Sequence, residues 1–291
     1  MSLVLVHGIF NHVPGATPEE AAGRRARECR RSLEEGLDLI GLGPVTAEVV
    51  MAYYADLLRR EPAEQAQSSE PDLTFDHLSD VQLSEAAEWL YGAGAPALEE
   101  GQNLLLAPVR QILGWLVGAR GGDSEDRAGR QLLVRRLERV MVSMLKEVEA
   151  YTAVPGRREA VQARVAEVIR REHPRVVVAH SLGSIVAYET LHAHPELEVE
   201  LLVTVGSPLR VPIVLQRLVP PPQQGRGAKP AGVARWVNIA DVGDLVAVPP
   251  KLSEAFPVDQ DETVGLGLGF HGFGSYLSNG LCAAAIAPYL F

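Results

Sequence analysis

Apolar positions along the chain follow two rhythms. The first is the short run rich in β-branched residues. Residues 3–6, 199–205 and 233–240 are of this kind, and residues 45–54 read as a further strand. Val176, Val177 and Val178 stand together with no polar alternation, which suits a strand buried on both faces of a parallel sheet. The second rhythm is the helical stripe. Thr17-Pro18-Glu19-Glu20 sets a Thr/Glu capping box and a proline at the first helical position, predicting a helix to about residue 37 that Gly41 and Gly43-Pro44 close. Ser79 and Gln82 repeat the capping box ahead of a helix over 79–91. Leu105, Val109, Ile112, Leu113, Leu116 and Val117 share one helical face. So do Leu133, Leu137, Val140, Met141, Met144 and Val148 within 130–150. Pro155-Gly156 separates that helix from one over 157–171, and residues 276–289 read as an apolar helix at the tail. Strand, helix and parallel strand alternate as in right-handed crossover units, so the fold class is α/β with a mostly parallel sheet and helices on both faces.

The alternation is broken once. Residues 59–129 offer no strand. Residues 61–72 and 121–129 read as loops around the two helical stripes. This divides the chain into an α/β core, 1–58 and 130–291, and a helical cap or insertion, 59–129. Residues 219–232, with Pro220-Pro221-Pro222 and several glycines, read as a surface loop. No internal repeat is present.

The sharpest local signal follows the run of valines. Ala179-His180-Ser181-Leu182-Gly183 is small or tightly spaced, and from Ser184 the apolar residues Ile185, Val186 and Leu191 return at helical spacing. A strand that stops at a serine and resumes as a helix must turn sharply there. Small residues two before and two after let the two backbones approach. This is the form of a nucleophile elbow, G-x-S-x-G, with Ala179 in place of the first glycine.

Composition narrows the class. The chain has 291 residues, 47% of them hydrophobic, enough for one large α/β domain. A net charge of -10 argues against a nucleic-acid partner. Only Lys146, Lys229 and Lys251 supply lysine among 27 basic residues, a skew suited to a GC-rich bacterial genome. Cys29 and Cys282 suggest neither a disulfide framework nor a metal site. The first residues lack a basic stretch, and the apolar segment 103–117 is interrupted by Pro108, Arg110 and Gln111 and too short to span a bilayer. The expectation is a soluble, cytoplasmic protein without stable membrane insertion, cofactor or metal.

In five pieces, taken in chain order, the sequence resembles the α/β-hydrolase superfamily and its lipase and esterase branch. The pieces are Val6-His7-Gly8, residues 179–183, Val205-Gly206-Ser207-Pro208, residues 236–246, and His271. They cover well under half the chain. The insertion matches no family. The abrupt start at a strand implies a sheet shortened at its N-terminal side. The resemblance implies Ser181 as nucleophile, His271 as general base, and an acid in the turn after residue 240. Asp244 and Asp241 compete for that role, and the D-x-V likeness of Asp244-Leu245-Val246 favours Asp244. It also implies an oxyanion hole from the N–H groups of Leu182 and Ile9. The activity implied is cleavage of a small-molecule or lipid-like ester, or of another activated acyl substrate, through an acyl-enzyme. Acyl transfer or cyclisation by the same triad is the alternative within that chemistry, and a non-catalytic binding protein on the same fold is the alternative outside it.

Several residues have plainer readings. Serine is common at helix N-caps. His271 lies in Gly267-Leu268-Gly269-Phe270-His271-Gly272, which matches G-x-G-x-x-G, but too little chain follows for a dinucleotide-binding unit. His7 reads as a residue that shapes the oxyanion loop. His192 and His194, two apart on a helix, face different sides and make a poor metal pair. The stripe over 105–117 reads as ordinary packing rather than a lipid-binding surface.

Overall fold

The computed structural model describes residues 2–59, 73–95, 106–120, 127–266 and 271–290. The loop readings over 61–72 and 121–126, and the glycine run 267–270, lie outside these. Six strands form one parallel sheet: β1 (Ser2–Val6), β2 (Glu48–Ala52), β3 (Val176–His180), β4 (Val199–Val205), β5 (Val233–Asp241) and β6 (Gln260–Val264), in the order β2-β1-β3-β4-β5-β6. Every residue of β1 and β3 is buried, as expected of strands covered on both faces.

Successive side chains of these strands serve opposite faces. Val4, Val6, Val177 and Ala179 belong to one apolar cluster, and Leu3, Leu5, Val176 and Val178 to the other. The second cluster holds α1 (Pro18–Leu39), whose N-cap Thr17 and Glu20 form the capping box. The first cluster holds α5 (Arg157–Glu172) and α6 (Leu182–Ala193). Buried residues of α2 (Asp80–Gly92), α3 (Leu106–Arg120) and α4 (Arg127–Ala153) join it as well. The insertion therefore packs on the sheet face that carries α6. The 105–117 stripe is packing where it is described: Val109, Ile112, Leu113, Leu116 and Val117 are all buried.

Four elements depart from the sequence reading. The tail is two short helices, α8 (Phe273–Leu277) and α9 (Gly280–Ile286), not one. The break is at Asn279, whose Oδ1 accepts the Leu281 N–H and restarts the helix as an N-cap. Strand β6 had no apolar signature to announce it, and the short α7 (Pro212–Arg217) carries only the run Ile213-Val214-Leu215, too brief to show helical spacing. Four of the five β6 residues, Gln260-Asp261-Glu262-Thr263, are polar because β6 is an edge strand and half-buried. Helix α4 begins three residues ahead of its expected start. No helix among the described residues is long and apolar enough to cross a membrane.

Candidate active site

Strand β1 lies between β2 and β3, so the chain winds away from this point in both directions. Ligands of open parallel sheets collect at such a switch point, beyond the carboxyl ends of the strands. The loop after β1 and the turn after β3 meet there. Ser181 follows β3 directly, with φ 55° and ψ −129°, a conformation non-glycine residues rarely adopt, and it is the N-cap of α6. The strained turn aims the helix N-terminus at the same space as the serine hydroxyl.

The fit around this turn is steric. A Cβ on Gly183 would collide with the backbone carbonyl oxygens of His7 and Val6, so only glycine lets α6 cross the end of β1 this closely. A Cβ on Gly8 would come 2.5 Å from Ser181 Cβ and 3.0 Å from its Oγ. The Ala179 methyl is fully buried and fits the apolar cluster, which explains why glycine is dispensable there. Below the turn, Ser184 Oγ donates to the Ser181 carbonyl at 2.6 Å. That uses its one hydrogen, so the 2.8 Å contact with Ser207 Oγ has Ser207 as donor.

His271 stands beside Ser181. Its Nε2 is 2.8 Å from Ser181 Oγ and its Nδ1 is 2.7 Å from Asp244 Oδ2. A carboxylate only accepts, so the proton belongs on Nδ1 and the Nε2 lone pair faces the hydroxyl. Ser181 is fully buried, and the side chains of His271 and Asp244 are 6% and 0% exposed. Asp244 is held from a second direction by the Val246 N–H, which donates to Oδ1 at 2.8 Å. Asp241 sits elsewhere. Its Oδ1 accepts the Gly243 N–H at 3.2 Å and the Leu266 N–H at 3.0 Å, tying the turn after β5 to the exit of β6. Burial, and then the neighbouring Asp244, push its carboxyl above the usual range.

The loop after β1 is pinned through His7. Gly8 carbonyl oxygen can only accept, so His7 Nδ1 donates to it at 2.9 Å, while Nε2 accepts the Tyr54 N–H at 3.1 Å. Burial holds this ring down at about 4, neutral at any ordinary pH. Asn11 Nδ2 donates to the same Gly8 carbonyl at 3.0 Å. The peptide is planar and trans, so anchoring the Gly8 carbonyl fixes where the Ile9 N–H points. Among the described residues neither the Ile9 nor the Leu182 N–H takes a protein acceptor. Phe10, at φ 60°, is clamped by Glu147 Oε1, which accepts its N–H at 3.2 Å, and by Arg25, which donates to its carbonyl. Burial pushes the Glu147 carboxyl up to about 7.

Three contributors carried no sequence signal: Glu147 on α4, Trp89 on α2 and Tyr276 on α8. Trp89 Nε1 donates to the Leu245 carbonyl at 2.7 Å, next to Asp244. Tyr276 donates to Asp244 Oδ2 at 2.8 Å. Each acts across a long stretch of chain, which no local spacing reveals. His192 and His194 do not converge. His192 Nε2 contacts the Ala228 carbonyl and His194 Nδ1 contacts Glu196, and no metal-binding cluster of His, Cys, Asp and Glu occurs among the described residues. No protein-family model, curated protein or solved structure matches the chain.

Proposed function

We propose that the chain is a serine hydrolase with the α/β-hydrolase fold, of the lipase and esterase kind, cleaving an ester or another activated acyl substrate. The observation that carries this reading is the unbroken line from Asp244 through His271 to Ser181, at 2.7 and 2.8 Å. The parallel strand order, the strained serine at the switch point and the free Ile9 and Leu182 N–H groups support it.

In this reading His271 Nε2 takes the Ser181 proton as Oγ attacks the acyl carbon. Asp244 holds the ring in the tautomer that can accept it and stabilises the imidazolium that results. The Ile9 and Leu182 N–H groups receive the developing oxyanion, with the α6 N-terminus behind them. The leaving group departs with the proton from Nε2, and water repeats the sequence in reverse on the acyl-enzyme. Transfer to an alcohol or amine would differ only in that last acceptor.

Turnover of a p-nitrophenyl ester tests the assignment. Ser181→Ala should lower kcat by about three orders of magnitude or more with the fold retained. Undiminished turnover in that variant would remove Ser181 from the chemistry. A folded wild-type protein with no turnover on any activated ester would favour the binding-protein alternative.

A further inference from the structure

We infer that Tyr276 is a positioning residue for the Asp244–His271 pair, and that its hydroxyl sets how tightly the pair holds a proton. Its kinetic consequence rests on the serine-hydrolase reading above; its effect on the histidine does not.

Tyr276 lies on α8, five residues after His271, and is fully buried. Its oxygen accepts the Asp241 N–H at 3.0 Å. Its own hydrogen goes to Asp244 Oδ2 at 2.8 Å, the oxygen that also accepts His271 Nδ1–H at 2.7 Å. The two donors therefore share one carboxylate oxygen, while Val246 N–H occupies the other. Burial, and then the charge of Asp244, drive the phenol far above its ordinary range, so it stays a donor at every accessible pH. Space for it is made by Gly206 at φ 56°. A Cβ there would stand 2.9 Å from Tyr276 Cε2 and 3.1 Å from Asp244 Oδ2.

The consequence is electrostatic. Each donor that a carboxylate accepts spreads its charge and weakens its pull on a neighbouring cation. The other titratable groups facing the pair do not supply this control. His180, whose ring centroid lies 4.7 Å from that of His271, is kept neutral by burial, as is His7 behind it. Asp241 turns its Oδ1 to backbone N–H groups, and Ser181 is the proton donor on the far side. Tyr276 is the one side-chain donor on Asp244 besides His271 among the described residues. With its hydroxyl removed, Asp244 should attract the imidazolium more strongly, and the pair should take up its proton at higher pH.

The test is an NMR titration of the His271 ring in full-length, histidine-labelled protein, which needs no substrate. Tyr276→Phe keeps the ring and removes the donor, and should raise the His271 midpoint by about half a pH unit or more. Replacing Tyr276 by 3-fluorotyrosine strengthens the donor while keeping the ring and its hydroxyl, and should lower the midpoint. In kinetics the acid limb of kcat/KM should move the same way as the His271 midpoint in each variant, with KM little changed. Opposite movements in the two variants support the role, because lost packing could not produce them. An unmoved His271 midpoint in the fluorotyrosine protein overturns it, even if Tyr276→Phe fails to fold. If His271 shifts as expected while no ester is turned over, the positioning role stands and the hydrolase reading falls.

Discussion

At the residue scale the candidate site depends on a few residues with no room for substitutes. Gly183 is the strictest case, because its neighbours are the carbonyl oxygens of His7 and Val6 and backbone cannot swing aside. Gly183→Ala should cost about 1–3 kcal/mol in urea denaturation and displace the serine turn, whereas Ala179→Gly should cost about 1 kcal/mol or less. The two aspartates separate just as sharply. Asp244→Asn should lower kcat by about two orders of magnitude or more while leaving KM close to wild type, since Asn cannot hold the same tautomer. Asp241→Asn keeps an oxygen for the Gly243 and Leu266 N–H groups, so its cost should be about 1 kcal/mol of stability. Steady-state kinetics beside denaturation would show it, and a crippled Asp241→Asn with an active Asp244→Asn would reverse the roles. Ser181, Asp244 and His271 were legible because small residues at fixed spacing, and chain order, mark them. Tyr276 was not, since a tyrosine in an apolar helix looks like any core tyrosine until Asp244 is placed beside it.

At the scale of elements, one of the insertion helices touches the candidate site as well as packing on the sheet. Helix α2 reaches the acid turn through Trp89, whose indole is the hydrogen-bond partner of the Leu245 carbonyl. Trp89→Phe retains much of the apolar contact but strands that buried carbonyl, at a cost of about 1–3 kcal/mol. It should also lower kcat on an activated ester, because Leu245 adjoins Asp244. A variant destabilised to this extent but with unchanged kcat would show that α2 steadies the fold and not the acid. Buried strands such as β1 and β3 could be read directly, since burial on both faces leaves an unbroken apolar run. Strand β6 could not. Its polar side chains satisfy neighbours across the sheet, with Asp261 Oδ1 accepting from Asn238 Nδ2 and Gln260 Oε1 from Arg235. The split between α8 and α9 turns on one capping side chain, Asn279, against apolar flanks that favour continuing the helix.

At the scale of the whole molecule, three desolvated groups couple stability to pH with opposing signs. His7 is depressed from its ordinary 6.5 to about 4, so the unfolded chain takes up a proton first as pH falls through that window. Its contribution to stability therefore declines below pH 6.5, by about 2 kcal/mol between pH 7 and pH 5. His180 is lowered by burial and acts in the same direction. Glu147, raised to about 7, acts in the other, because the folded state takes up its proton first as pH falls from 7. Urea unfolding of Glu147→Gln should therefore lose stability more steeply than wild type between pH 7 and pH 5, and equal slopes would contradict this. The central claim is that Ser181 is a nucleophile activated by His271. A fluorophosphonate probe followed by mass spectrometry of the adduct tests that most directly. The account predicts rapid modification of wild-type protein at Ser181 alone and roughly a hundredfold slower reaction in folded His271→Ala, in keeping with the loss of a general base. A folded wild-type protein that leaves Ser181 unmodified, or a His271→Ala variant that reacts at the wild-type rate, would contradict it.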